Sequence, residues 1–180
     1  MNDAELSGTQ ADSGQSPTAR WVIESADERQ TVRLGQALAA ALPAGVVVAL
    51  HGPLGAGKTR LVQAVAEAAG VQRGEVVSPT FVIVQEHFGR GPIWHIDAYR
   101  LADAEEFLQL GGQDYLAGPG WTFIEWAERI APCLPAEMLS IRLEPLDDRR
   151  RRIEIEAFGS APAQALSKLE LAKVADRKTS

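Results

Sequence analysis

Residues 52–59 combine glycines, a lysine and a threonine at a spacing suited to binding phosphate. The segment reads Gly52-Pro53-Leu54-Gly55-Ala56-Gly57-Lys58-Thr59. Glycines permit backbone conformations that are closed to other residues, so successive amide groups can point at phosphate oxygens. The Lys58 ammonium could reach the β and γ phosphates of a nucleotide, and the Thr59 hydroxyl is the expected Mg²⁺ ligand. The segment therefore predicts a phosphate-binding loop in which residues 54–59 contact the nucleotide.

The elements on either side of this loop favour the same interpretation. Val46–Leu50 is continuously apolar, as expected for a central parallel strand that is covered on both faces. After the loop, Leu61, Val65 and Ala69 form one apolar stripe of a helix that Gly70 ends. This helix would present the positive end of its dipole to a bound anion. The alternative, a glycine-rich turn with an exposed lysine, is disfavoured by this context.

Two further predicted strands end in an acidic residue. Ile93–Ile96 leads into Asp97, and Trp121–Ile124 leads into Glu125. If these strands run parallel to the strand before the loop, both carboxylates emerge at the sheet edge where open α/β folds bind ligands. Nucleotide hydrolysis needs such groups to hold hydrated Mg²⁺ and to orient the attacking water. The alternative is that each acid caps the turn or short helix that follows it.

Three other features are weaker signals. The segment Ser78–Phe81 places two hydroxyls, including that of Thr80, on a stiff turn that could close over a γ-phosphate, although prolines are common at the start of a strand. Trp126 could stack on a base or on a partner, and it could equally belong to the core. His95 and Arg100 flank Asp97 in a polar cluster that is either functional or a hydrogen-bonded structural feature.

Two antiparallel hairpins are predicted in the second half of the chain. Residues 80–88 and 93–97 form the first, and the alternating apolar positions of 139–143 and 153–155 form the second. The arginine run 149–152 falls in the second hairpin, where alternate side chains project to opposite faces. A solvated edge that discourages aggregation between sheets is the simplest interpretation of this run.

Helices complete the predicted fold. Ser25 or Asp27 caps a helix that carries Leu34 and Leu38, and Asp103 opens another helix. Helical segments therefore alternate with strands along the chain, as in α/β proteins. We expect an α/β, P-loop NTPase-like three-layer sandwich with a mostly parallel central sheet and antiparallel hairpins at its edges.

Composition limits the possible roles of the chain. The 180 residues suit one domain with two ends that lie outside it. We expect a disordered leader over 1–19, a P-loop domain over 20–159, and a tail over 160–180 that could hold a short helix. A net charge of −6 disfavours extensive contact with nucleic acid. The lone Cys133 excludes an intramolecular disulfide. Because neither a membrane span nor a signal peptide is visible, we expect a cytoplasmic protein with no membrane contact.

Four blocks in fixed order resemble one known family. They are Leu54–Thr59, Ser78–Phe81, His95–Arg100 and Glu125–Trp126. Together they are similar to the TsaE family, the small P-loop ATPases of bacterial tRNA threonylcarbamoyladenosine biosynthesis. The resemblance spans about residues 21–159, and the His95–Arg100 block is its most discriminating part.

The resemblance implies an activity and partners. Such a protein binds ATP with Mg²⁺ and hydrolyses it slowly. It acts on the partner proteins TsaB and TsaD, and tRNA is involved only indirectly. The acidic composition agrees with this role, because a protein that acts on an enzyme need not bind tRNA tightly itself.

The resemblance also implies roles for single residues. Thr59 and Glu125 correspond to metal ligands, and Asp97 to the hydrolysis residue near the γ-phosphate. Thr80 corresponds to a switch-like contact, and Trp126 lies near the nucleotide. The resemblance also implies that the segment Asp27–Thr31 and the pair Asp148-Arg149 border the adenine side of the nucleotide.

Two other functions remain open from the sequence. A nucleotide or small-molecule kinase would use the same loop, but no separate lid insertion is visible. A non-catalytic interaction module would hold ATP as a structural ligand. Replacement of Asp97 would distinguish this module from an ATPase, since only the ATPase needs hydrolysis for its function.

Overall fold

The computed structural model describes residues 15–77 and 83–169 of the chain. The strands are β1 (Ala19–Ser25), β2 (Val47–His51), β3 (Val84–Phe88), β4 (Pro92–Asp97), β5 (Trp121–Glu125), β6 (Met138–Pro145) and β7 (Arg151–Phe158). The α-helices are α1 (Glu28–Ala41), α2 (Lys58–Ala68), α3 (Ala104–Gln109), α4 (Gly112–Ala117) and α5 (Ser160–Lys168). Two 3₁₀ segments span Ala98–Arg100 and Ala127–Cys133.

The strands form one seven-stranded sheet in the order β1-β7-β6-β2-β5-β4-β3. Its four central strands, β6, β2, β5 and β4, run parallel to one another. The β3-β4 and β6-β7 hairpins are antiparallel, as predicted. Because β2 lies in the middle and helices cover both faces, its first four residues are all buried, which explains their continuous apolar run.

Helices cover the sheet on both faces, so the core has two halves. One half includes Leu34 of α1, Leu61 of α2 and Leu166 of α5, packed against the sheet. The other half includes Phe107 of α3 and Ile130 of the second 3₁₀ segment. The predicted α/β three-layer sandwich is confirmed by this arrangement.

The start of α1 shows how local sequence fixes a helix boundary. Asp27 is the N-cap, and its Oδ1 accepts a hydrogen bond of 3.0 Å from the Gln30 backbone N–H. The Gln30 Oε1 accepts in return from the Ala26 N–H at 2.7 Å. Ser25, the other candidate cap, instead donates its hydroxyl hydrogen to the Asp27 carbonyl oxygen at 2.8 Å. Two backbone donors at the helix start are thereby satisfied.

Two features differ from the expected arrangement. Strand β1 pairs with β7, so the β6-β7 hairpin lies one strand inside the edge of the sheet. A separate helix, α4, begins at Gly112, and the sequence analysis did not predict it. A Cβ at Gly112 would collide with the Phe107 ring, so glycine here allows α4 to pack closely on α3.

The two ends of the chain lie partly outside the described residues. Of the predicted leader, residues 1–14 are not described, and β1 already begins at Ala19. Of the predicted tail, residues 170–180 are not described, whereas α5 occupies Ser160–Lys168. Among the helices of the described ranges, none has the length and apolar character needed to cross a bilayer.

We predict that Gly35→Ala destabilises the fold, because α1 packs tightly against α2 at this position. A Cβ on Gly35 would lie 2.5 Å from the Ala64 Cβ. The resulting overpacking should lower the free energy of unfolding by about 1–3 kcal/mol, more than the helix propensity of alanine restores. Denaturant unfolding followed by circular dichroism measures this change.

Two further variants serve as controls for this prediction. Gln36→Ala, on the exposed side of α1, should change the free energy of unfolding by less than about 0.5 kcal/mol. The double variant Gly35→Ala with Ala64→Gly should recover part of the loss, because it removes the colliding methyl group. Wild-type stability in Gly35→Ala alone would contradict this account of the packing between α1 and α2.

Candidate functional site

The loop between β2 and α2 has a backbone that depends on glycine. Gly52, Gly55 and Gly57 have φ angles of 131°, 78° and 103°, all in the region that favours glycine. A side chain at Gly52 would also collide with the carbonyl oxygen of Leu143 in β6. Gly57 is the N-cap of α2 and has no side chain to satisfy the first amide groups of the helix. The loop therefore offers free helix N–H groups to an anion.

Lys58 lies at the centre of the candidate site. Its Nζ donates to the carbonyl oxygens of Gly52 at 2.7 Å and Pro53 at 3.0 Å. The same ammonium lies 3.9 Å from the centre of the Trp126 ring. Burial lowers the pKa of Lys58, and the nearby carboxylate of Glu125 opposes this shift. The loop carbonyls and the indole face thus hold a cation beside the glycines.

Thr59 and Glu125 are joined directly. The Thr59 hydroxyl donates to Glu125 Oε1 at 2.7 Å, and the Nε2 of His95 lies 2.8 Å from the same oxygen. Glu125 is only 4% exposed, although it ends a strand. The alternative role of Glu125 as a helix cap is not observed, because Trp126 is the N-cap residue of the 3₁₀ segment and no side chain caps it.

Asp97 lies beside Glu125 at the end of the neighbouring strand. The parallel register of β4 and β5 pairs these two residues directly. Asp97 Oδ1 accepts a hydrogen bond of 3.0 Å from the Tyr99 N–H, so the capping role that we considered does occur. Burial raises the pKa of Asp97, the Tyr99 N–H lowers it, and the charge of Glu125 adds to the increase. A carboxyl group with a raised pKa is a stronger base once it is ionised.

Trp126 has an unusual backbone for a residue of its size. Its φ of 58° and ψ of 41° place it in the left-handed region, the one such non-glycine residue in the described ranges. Its ring packs against Tyr99, with 4.9 Å between the ring centres, as well as against Lys58. The residue is partly buried, so it belongs both to the second half of the core and to the wall of the site.

Glu128 is a charged neighbour that the sequence analysis did not single out. Its Oε2 lies 3.0 Å from the Nδ1 of His51, the last residue of β2. Burial, the largest single influence, raises the pKa of Glu128, but the contact with His51, a backbone hydrogen bond and the charge of Lys58 together outweigh it, so the net pKa is lowered. Glu128 therefore adds a carboxylate to the charges around Lys58.

Arg151 is the other residue that the sequence analysis missed. Its Nε donates to the Ala56 carbonyl oxygen at 2.9 Å, and its Nη1 donates to the Arg149 carbonyl oxygen at 3.0 Å. The guanidinium of the first residue of β7 thus braces the phosphate-binding loop. The sequence offered one signal for this contact, the projection of alternate arginines of the run 149–152 to opposite faces of a strand. That alternation could not show that the side chain of Arg151 reaches the loop.

Some predicted site residues make their contacts elsewhere. Asp27 caps α1, and the Arg149 N–H donates to Asp147 Oδ1 at 2.9 Å. Leu54 is 89% exposed at the tip of the loop. Thr80, with the rest of residues 78–82, lies outside the described residues. The roles of all these residues stay predictions.

The chemistry of the site fits a nucleotide with a divalent cation. The hydroxyl of Thr59 and the carboxylate of Glu125 are oxygen donors of the kind that Mg²⁺ prefers, and their 2.7 Å contact places them together at the start of α2. The free amide groups and Lys58 supply positive charge for phosphates. Asp97 adds a second carboxylate beside the first.

Comparison with known proteins gives consistent matches over most of the chain. The family model described as "Threonylcarbamoyl adenosine biosynthesis protein TsaE" matches residues 25–153, a range that contains the loop, both strand-end acids and Arg151. A protein named tRNA threonylcarbamoyladenosine biosynthesis protein TsaE from Treponema pallidum is 40% identical over 136 residues, which cover 76% of this chain and 98% of that one. The protein of the same name from Bacillus subtilis is 37% identical over 142 residues, which cover 78% and 87%.

A solved structure also matches most of this chain. The crystal structure of Bacillus subtilis YdiB matches with a TM-score of 0.72 and 29% sequence identity. The match covers 86% of this chain and 97% of that one.

We predict that Arg151→Met weakens nucleotide binding, because the loop loses its brace. A hydrogen bond from a charged donor contributes about 1.5–3 kcal/mol, and part of this is felt when the loop closes on phosphate. Isothermal titration calorimetry with ADP should show an affinity lower by roughly five- to tenfold. Arg152→Met is the matched control, since Arg152 is exposed on the opposite side of β7 and should leave the affinity unchanged. Equal effects of the two substitutions would contradict the specific role of Arg151.

Proposed function

This chain belongs to the TsaE family, and we propose that it binds and hydrolyses ATP in tRNA N6-threonylcarbamoyladenosine biosynthesis. The names of its relatives support its involvement in that pathway. The observation that carries the proposed activity is the 2.7 Å contact of Thr59 with Glu125 at the end of a glycine-dependent loop. This contact brings a hydroxyl and a carboxylate together at the start of α2, which supports the proposal of a cation site beside the bound phosphates.

In this proposal the loop binds the phosphates of ATP. The amide groups at the start of α2 donate to phosphate oxygens, and Lys58 exchanges its bonds with the Gly52 and Pro53 carbonyls for bonds with the β and γ phosphates. Thr59 and Glu125 would hold Mg²⁺. When bound, this ion would offset the negative charge on the phosphates. Leu54, Gly55, Ala56 and Gly57 supply the backbone that wraps the anion.

Asp97 is the residue that we assign to the attacking water. Its ionised carboxylate accepts a proton from the water as the water approaches the γ-phosphate. Because burial raises its pKa, Asp97 loses its charge at a higher pH than an ordinary aspartate as the solution is acidified. Hydrolysis by such a base therefore declines earlier on acidification than it would with an exposed carboxylate.

The partners and the remaining contacts also belong to the proposal. We assign TsaB and TsaD as the proteins that respond to the nucleotide, with Thr80 as the contact that reports the γ-phosphate. Trp126, on the wall of the site, is assigned to the nucleotide, and Asp27 and Arg149 to its adenine side. The net charge of −6 supports action on proteins rather than on tRNA directly. The cytoplasm, where tRNA is modified, is the proposed location.

We predict that Asp97→Asn separates hydrolysis from binding. An asparagine oxygen can still accept from the Tyr99 N–H, so the turn keeps its cap while the base is lost. Steady-state ATP turnover should fall at least about 100-fold, and the affinity for ADP with Mg²⁺ should be retained. Lys58→Ala should instead abolish both binding and turnover.

A matched substitution controls for the loss of a capping carboxylate. Asp103 caps α3 by accepting from the Glu106 N–H at 2.9 Å, and it is exposed. Asp103→Asn should leave turnover unchanged. If Asp97→Asn also kept full turnover, Asp97 would be a structural cap and a different group would have to act on the water.

The proposed partners are tested by reconstituting tRNA modification with purified TsaB and TsaD. We expect these proteins to change the rate of ATP turnover, and we expect tRNA modification over many cycles to require the wild-type chain. The Lys58→Ala variant should not support it, because nucleotide binding is lost. Undiminished modification in the absence of the chain would refute its proposed role in the pathway.

A further inference from the structure

We propose that His95 is a positioning residue that holds the Glu125 carboxylate in the orientation required for Mg²⁺. The inference rests on the nucleotide function proposed above. It gives a role to His95, the first residue of the His95–Arg100 block. The proposed phosphate binding and the proposed hydrolysis step assign no role to this residue.

The contact between the two side chains is short and completely buried. His95 Nε2 lies 2.8 Å from Glu125 Oε1, and His95 is 0% exposed. Because an ionised carboxylate only accepts hydrogen bonds, Nε2 carries the hydrogen and donates it. Among the described residues, both hydrogen bonds to this carboxylate end on Oε1, one from His95 and one from Thr59. Two donors on one oxygen fix the plane of the carboxylate and leave Oε2 for a further ligand.

The surroundings of His95 show that a polar residue is not needed there for packing. On the same face of the sheet, the neighbouring positions in β4 and β5 are Ile93 and Phe123, both 1% exposed. Within the described ranges, His95 Nδ1 has no hydrogen-bond partner. Among the described residues, the imidazole therefore makes one hydrogen bond, and that bond goes to Glu125.

A second buried histidine provides a natural comparison. His87 in β3 is 5% exposed; in the described part of the chain its Nδ1 lies 3.9 Å from Glu75 Oε1, and neither ring nitrogen makes a hydrogen bond. Gln85 pairs with His95 across the β3-β4 hairpin, which places His87 two positions further along the same face. The two histidines thus lie on the same face of the sheet, and both are buried. They differ in that only His95 contacts Glu125.

We expect the loss of His95 to weaken binding of the cation more than binding of the phosphates. Without the His95 donor, the Thr59 hydroxyl is the one donor to Glu125 that remains among the described residues, and the carboxylate can rotate away from the metal position. Among the described residues, the hydrogen bonds of Lys58 go to loop carbonyls and that of His95 goes to Glu125, so metal-free nucleotide should bind as before. The loss should appear in the factor by which Mg²⁺ increases nucleotide affinity, where an orienting partner is typically worth about 10- to 100-fold.

The test measures ADP affinity by isothermal titration calorimetry, once with Mg²⁺ and once with EDTA. His95→Leu and His95→Asn both remove a donor at the Nε2 position, since the asparagine amide stops short of it. His95→Gln places an amide N–H near that position and should restore most of the effect. His87→Leu is the matched control. Circular dichroism establishes that each variant is folded, and the asparagine variant decides the result if the leucine variant does not fold.

We expect the leucine and asparagine variants to lose about tenfold or more of the Mg²⁺ enhancement, with unchanged affinity in EDTA. His95→Gln and His87→Leu should resemble the wild type. A folded variant without a donor that keeps the full enhancement would overturn the inference, and so would equal losses in His95→Leu and His87→Leu. If the wild type bound nucleotide equally well with and without Mg²⁺, the inference would be overturned, but the proposal that the chain binds nucleotide would stand. A wild type that binds no ADP or ATP would overturn the proposed function itself and this inference with it.

Discussion

The parallel register of β2, β5 and β4 is the constraint on which the site depends. Leu50 pairs with Glu125, and Glu125 pairs with Asp97, so three strands end at the same height of the sheet. Strand β2 ends one residue after Leu50, and the loop that follows leads into α2. The Thr59 hydroxyl at the start of α2 therefore lies 2.7 Å from Glu125 Oε1. A shift of one residue in the β5 register would turn Glu125 to the opposite face. The burial of alternate residues in both halves of the core resists such a shift.

Charge is concentrated where this register meets the loop. Lys58 and Glu125 are each 4% exposed, and burying unpaired charges of this kind would be costly. Each charge has its own partners: carbonyl oxygens and the Trp126 ring surround the ammonium, while Thr59 and His95 bind the carboxylate. The pKa directions follow from this balance, with burial lowering that of Lys58 and raising that of Asp97. Such shifted groups in one place are typical of functional sites.

The features that sequence reasoning could predict are those determined locally. The loop, the strand-end position of Asp97 and Glu125, and the Asp27 cap all follow from spacing within about a dozen residues. By contrast, the contact of Arg151 with Ala56 joins positions 95 residues apart, and no pattern in the arginine run reveals it. The pairing of β1 with β7 is likewise non-local, so the true edge strand could not be predicted. Hydrogen-bond partners such as that of His95 depend on strand order, which the sequence does not encode locally.

Trp126 shows how strain and function are linked in this arrangement. A left-handed backbone is unfavourable for a large side chain, and it persists here immediately after the buried Glu125. This conformation turns the chain sharply out of β5, so the indole lies over Lys58 and against Tyr99, which follows Asp97 by two positions. One strained residue therefore connects the ends of both acid-bearing strands to the lysine of the loop. Relaxing that backbone would move the indole away from the ammonium, so the strain and the arrangement of the charges depend on each other.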